Sequence, residues 1–152
     1  MYFYERAKYP HITTTPVIVT AIAAHETGNF TADLFQTRNN CFGMRTPNKR
    51  ETTCTNKGQG GFAVFDSVMD SVEDFLMWQE EFGLTDDGKL DAFIKAGRYC
   101  PDKGYYEAIN RMIASLQTSG KYLDYDQVKA YALGGGLLVG GAAYAAYKEF
   151  AS

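Results

Sequence analysis

The run Val17-Ile18-Val19-Thr20-Ala21-Ile22-Ala23-Ala24 is apolar but for one threonine, and it constrains the fold more than any other stretch. A helix that is apolar on most sides has no face to offer water, so it belongs at the centre of a domain. The β-branched residues would also suit a strand. The punctuation favours helix: Thr15 can cap, Pro16 fits the first helical position where no N–H is needed, and Gly28 stops it. His25 and Glu26 then fall in the last turn.

The remaining chain supplies partners for that helix. Residues 31–45 read as short turns. From Met44 to Phe65 two strand-like runs flank a polar loop with Gly58, Gly60 and Gly61, which predicts a small β-hairpin lobe. Ser67 with Asp70 resembles a capping box. Val68, Val72, Phe75, Leu76, Gln79 and Phe82 follow it at helical period and Gly83 closes the helix. Leu90, Phe93 and Ile94 predict a short helix ending at Gly97. Tyr105, Ile109, Met112, Ile113 and Leu116 predict another ending at Gly120. The expected class is mainly α (α+β): a main domain over 1–125 and a C-terminal apolar helix over 126–152.

The C-terminal segment stands apart. Ala130 to Tyr147 carries no charge and is flanked by Lys129 and Lys148. Its length just reaches what a bilayer requires, about 20 residues with a lower limit near 17. Gly136 and Gly140 form a small-xxx-small pair that would let two such helices associate. The segment is read as a membrane-associated helix; a docked terminal helix or a Gly-rich tail are the alternatives. The first ten residues lack the apolar run and cleavage site of a signal peptide, so no cleaved leader is expected.

Charge and cysteine content narrow the chemistry. The net charge of −3 argues against a general nucleic-acid binder. Up to residue 60, seven Lys/Arg face four Asp/Glu, which suits an anionic polymer as well as it suits a mixed solvated surface. Cys41, Cys54 and Cys100 include no CxxC spacing, and His11 and His25 are the only histidines, so neither a zinc site nor any cofactor is implied. Three free thiols are expected, with one disulfide plus a free thiol the alternative.

Glu26 carries the chemistry. A carboxyl at the end of a buried helix is pushed toward its protonated form by burial and by the negative end of the helix dipole. Glycoside cleavage requires such an acid, because the leaving oxygen must receive a proton, as in lysozyme. Taken alone, a glutamate at a helix end is an ordinary surface residue.

Its neighbours change that reading. Glu26-Thr27-Gly28 is followed by Asn39-Asn40-Cys41-Phe42-Gly43-Met44, then Phe62-Ala63-Val64-Phe65-Asp66-Ser67, Ser71-Val72-Glu73-Asp74, Arg98-Tyr99 and Tyr105. In order and spacing, residues 17–115 resemble the endo-β-N-acetylglucosaminidase family of autolysins, flagellar-rod peptidoglycan hydrolases and phage lysins. Cys41 stands where that family usually has leucine. The resemblance implies a lysozyme-like helical domain with a small lobe beside a groove, and hydrolysis of β-1,4 bonds in peptidoglycan strands. It maps the general acid onto Glu26. Asn39, Asn40 and Phe42 map to a segment that either braces a turn or holds the N-acetyl group. Tyr99 maps to a catalytic position and Tyr105 to a substrate-contacting one, each with a core alternative. Glu51, the one acid between Asp33 and Asp66, is the candidate second carboxylate; otherwise the substrate's own N-acetyl group attacks, and Glu51 is a solvated lobe residue. His25 is read as a packed neighbour.

Two alternatives stand beside this reading: a lytic transglycosylase or muramidase on the same fold, and a membrane-anchored structural protein that only binds glycan. A lysin-like domain with no leader and an apolar tail also suggests a protein carried in a virion or held at a membrane, where it opens the wall locally.

Overall fold

The computed structural model describes residues 2–58 and 60–119 as six helices joined by loops: α1 (Tyr2–Arg6), α2 (Pro16–Glu26), α3 (Asp33–Arg38), α4 (Val68–Glu81), α5 (Asp87–Lys95) and α6 (Tyr105–Ser119). The mainly helical expectation holds. The apolar C-terminal helix, with Gly136 and Gly140, and the boundary at 125/126 lie outside the described residues. No helix among the described residues is long and apolar enough to cross a membrane.

Helix α2 is central, as its composition requires. Val17, Ile18, Val19, Ala21, Ile22, Ala23 and Ala24 are all buried. Its main partner is α6, which turns Tyr105, Ile109 and Leu116 inward. Pro16 occupies the first turn as expected, but the Thr15 side chain does not cap. Its hydroxyl donates instead to Asp87 Oδ2 (2.8 Å), and its amide donates to Asp87 Oδ1 (2.6 Å). One carboxylate thus sits at the N-termini of α2 and α5, where both dipoles favour negative charge.

Helix α4 begins at the predicted capping box: Ser67 Oγ accepts from the Asp70 amide and donates to the Asp70 carboxylate (2.6 Å). Two helices appear where none was expected. Helix α1 is five residues long and is held by α4 through Lys8, which bridges Glu5 (2.6 Å) and Glu73 (2.9 Å). Helix α3 replaces part of the turn region and buries Phe35 alone. Both are too short to show an apolar period, so tertiary contact makes them.

The predicted β-hairpin needs correction. Among the described residues the lobe has one antiparallel bridge, Arg45 to Phe62, and no strand ladder. Its legs meet at Thr46 N to Gly61 O (2.8 Å) and Ala63 N to Met44 O (2.9 Å), then diverge. Asn56 stands in for a pairing strand: it accepts from the Val64 amide (3.0 Å) and donates to the Phe62 carbonyl (3.0 Å). Residues 50–53 turn away to α4. Arg50 donates to both oxygens of Asp74 (2.8 and 2.7 Å), Thr52 Oγ1 donates to Asp74 Oδ1 (2.5 Å), and Thr53 Oγ1 donates to the Asp70 carbonyl (2.6 Å). All three cysteines are free thiols, and burial pushes the Cys41 thiol up to about 12.

The side chain of Asp74 is fully buried and that of Arg50 is 9% exposed. Removing one partner of such a pair strands the other charge. Asp74→Ala is expected to cost about 3–5 kcal/mol in denaturant unfolding. Asp74→Leu with Arg50→Met, which removes both charges, should recover most of that loss.

Candidate active site

Glu26 is the last residue of α2, and an abrupt stop follows it. Thr27 Oγ1 donates back to the Ala23 carbonyl (2.6 Å) and accepts from the Phe30 amide (2.9 Å). Gly28, Asn29 and Phe30 then take successive left-handed conformations. Such a bend is costly for a phenylalanine, and backbone strain of this kind concentrates at functional sites. It turns the chain away at once and leaves the Glu26 carboxyl at the helix end.

Two groups fix that carboxyl. Tyr105, at the start of α6, donates from its hydroxyl to Glu26 Oε1 (2.6 Å). Gly43 lies against the other oxygen: a Cβ there would stand 2.7 Å from Oε2. Gly43 also has φ +61°, so two constraints exclude a side chain. Burial raises the Glu26 pKa; the Tyr105 hydrogen bond and the nearby His25 oppose the rise without cancelling it. Burial, reinforced by the Glu26 charge, raises both Tyr99 and Tyr105, so both phenols stay protonated donors.

An aromatic wall stands behind these groups. The Tyr99 hydroxyl donates to the Phe42 carbonyl (2.7 Å), which holds the Phe42–Gly43 peptide in place. The Tyr99 and Tyr105 rings lie 5.6 Å apart, and His25 meets Tyr105 edge-on at 5.0 Å. Phe42 stacks on Phe75 at 4.1 Å, and Phe75 on Trp78 at 5.3 Å.

The structure therefore brings together Glu26, Tyr105, Tyr99 and the Phe42–Gly43 backbone. Asn40 is fully buried: its Nδ2 donates to the Met44 (2.8 Å) and Ala63 (3.0 Å) carbonyls, and its Oδ1 accepts from the Met44 amide (3.0 Å). Asn39 donates to the Phe65 (3.0 Å) and Asp66 (3.2 Å) carbonyls. Of the two expectations for this segment, the geometry matches turn bracing. The Phe42 ring is buried in the wall and offers no face to a ligand; what Phe42 brings to the site is its carbonyl. Glu51 is exposed on the lobe, and no contact among the described residues joins it to Glu26.

Sequence reasoning gave no role to Gly43, Ser71 or Asp74, although the motifs contained all three. Ser71 Oγ is buried and accepts from the Cys41 amide (3.0 Å), pinning the segment that carries Phe42 and Gly43. Ser71 and Asp74 lie one turn apart on α4, each holding one loop of the site. Two polar residues at i, i+3 among the core-facing positions of the helix were the available signal.

A family model described as mannosyl-glycoprotein endo-beta-N-acetylglucosaminidase matches residues 5–118. No curated protein and no solved structure matches the chain.

Two variants test this geometry. Tyr105→Phe removes a hydrogen bond that favours the carboxylate, so the Glu26 pKa should rise further, read by carboxyl-carbon NMR titration. Gly43→Ala should cost about 1–2 kcal/mol for its left-handed backbone. Its activity on cell-wall glycan should fall further than that loss explains, because the methyl group displaces Oε2.

Proposed function

The chain belongs to the glucosaminidase family, a glycoside hydrolase domain acting on peptidoglycan, and on that premise we propose that it is an endo-β-N-acetylglucosaminidase with Glu26 as general acid. The observation that carries the reading is the held, half-buried carboxyl at the end of α2. With Oε1 accepting from Tyr105, the acidic proton belongs on Oε2, the oxygen beside Gly43. The absence of a side chain at Gly43 gives the glycosidic oxygen room to approach that proton. As the bond from the anomeric carbon to that oxygen breaks, the proton moves to the leaving sugar. Glu26 becomes a carboxylate already hydrogen-bonded by Tyr105, which stabilises the charge it acquires.

Glu51 is assigned as the base that activates water on the opposite face. Its side chain is exposed on the lobe and so open to water, and an inverting site needs two carboxyls far enough apart for that water to fit between them. Tyr99 acts on the reaction through the Phe42–Gly43 peptide it holds, and Asn39 and Asn40 through the loop they brace. A lysozyme-like arrangement of helical body and lobe belongs to the same proposal.

The test is digestion of purified peptidoglycan with wild type and Glu26→Gln, followed by reduction and mass spectrometry of the products. Wild type should release reducing-end N-acetylglucosamine, and Glu26→Gln should be slower by about a hundredfold to ten-thousandfold. Anhydro or muramic-acid ends would replace the glucosaminidase assignment with a transglycosylase or muramidase one. No product from either protein, with binding retained, would leave only a glycan-binding role. Product anomers read by NMR separate the second step: inversion supports Glu51, and retention gives the attack to the substrate's N-acetyl oxygen.

A further inference from the structure

The small lobe carries an excess of positive charge, most of it without a carboxylate partner among the described residues. Between Leu34 and Phe65 stand Arg38, Arg45, Lys49, Arg50 and Lys57 against one acid, Glu51. Arg50 is committed to Asp74. Among the described residues, no carboxylate lies within ion-pair distance of Arg38, Arg45, Lys49 or Lys57. Outside the lobe Lys8 and Lys89 have acid partners, while Lys95, Arg98, Lys103 and Arg111 have none among the described residues; what sets the lobe apart is that its free cations cluster within one short stretch of chain. The chain as a whole is net negative, so this basic lobe is a local feature.

Two of these cations converge on one exposed residue, Phe62: Arg45 on its ring and Arg38 on its backbone carbonyl. The Arg45 guanidinium lies over Phe62, 4.8 Å from the ring centroid, and that ring is 40% exposed. Arg38 Nη1 donates to the Phe62 carbonyl (3.2 Å), which also accepts from Asn56 (3.0 Å). At Gly60 and Gly61 an added Cβ would meet nothing within 4 Å, so the space beside Phe62 is open. Cation–π attraction to the ring restrains the guanidinium and reduces the entropy it would lose on binding. A guanidinium so held has its donor edge free for a carboxylate, the anion its geometry fits best. The cluster follows the acid's neighbour closely along the chain: Arg45 is two residues beyond Gly43, where a Cβ would stand 2.7 Å from Glu26 Oε2, and the intervening Met44 is fixed by Asn40.

We propose that Arg45, with Phe62 and Arg38, forms a carboxylate-recognising subsite on the lobe that holds the acidic peptide arms of the glycan strand. It makes the enzyme selective for peptide-bearing peptidoglycan over neutral N-acetylglucosamine polymers. This rests on the peptidoglycan reading above and adds the group on that substrate which is recognised.

The test uses native peptidoglycan and the same material with its peptide carboxylates converted to neutral amides. Wild type should cleave native material faster by about tenfold, the order of one charge-assisted hydrogen bond. Arg45→Ala should fold normally, since Arg45 is exposed, and should cleave both materials at the slower rate. Raising the salt concentration should slow wild type on native material and leave Arg45→Ala unchanged. The subsite is overturned if wild type does not distinguish the two materials, or if Arg45→Ala keeps the wild-type preference. Co-sedimentation of Glu26→Gln, with and without Arg45→Ala, reads binding independently of cleavage. If wild type cleaves neither material, the hydrolase reading fails, and the subsite stands only if Arg45→Ala weakens sedimentation with native material alone.

Discussion

Helix α2 ends in a carboxyl although nearly all of its length is buried, and the rest of the site is arranged around that conflict. An ionisable group at the margin of an apolar core is held at a cost, because burial disfavours its charged form. The Tyr105 hydroxyl meets part of that cost and joins residues 79 positions apart in the chain. The same contact anchors the start of α6 to the end of α2, so the main helix–helix interface and the held Glu26 carboxyl are one construction. The raised pKa of Glu26 follows from where α2 must lie.

Helix α4 performs the complementary task. Its buried side gives Val72, Phe75 and Leu76 to the core together with three polar residues, Ser71, Asp74 and Gln79, of which the first two hold loops of the site. Neither reaches Glu26. Ser71 takes the Cys41 amide and so fixes the segment carrying Gly43, while Asp74 takes Arg50 and Thr52 and so fixes the base of the lobe. A buried ion pair is weak evidence for stability, because desolvation offsets much of its attraction. Here it sets the path of a loop that has no strand ladder to guide it. Asn40 and Asn56 do the same work locally, substituting side-chain hydrogen bonds for backbone pairing.

The helices were legible wherever a period or a cap was long enough to register. The Ser67–Asp70 cap, Gly28, Gly83 and Gly97 all mark helix ends as read. Helices α1 and α3 were not legible, because five or six residues cannot display a period of 3.6. The lobe was misread as a hairpin because threonines at 52, 53 and 55 suit strands. Two of these, Thr52 and Thr53, spend their hydroxyls on α4 instead. At the site, Glu26 and both tyrosines stood out by motif. The use of Phe42 did not, because sequence cannot separate a ring exposed to a ligand from one stacked on Phe75.

By itself the sequence determined that one helix is central, that Glu26 ends it, and that the chain belongs to the glucosaminidase family, because composition, punctuation and motif order are local properties written along the chain. Which Glu26 oxygen faces Tyr105 and which faces Gly43 is a tertiary outcome. So are the capture of Arg50 by Asp74 and the placing of Arg45 over Phe62 with no carboxylate partner among the described residues. Each depends on the distance between residues far apart in sequence, and that distance exists only once α2, α4 and α6 have closed on a common core.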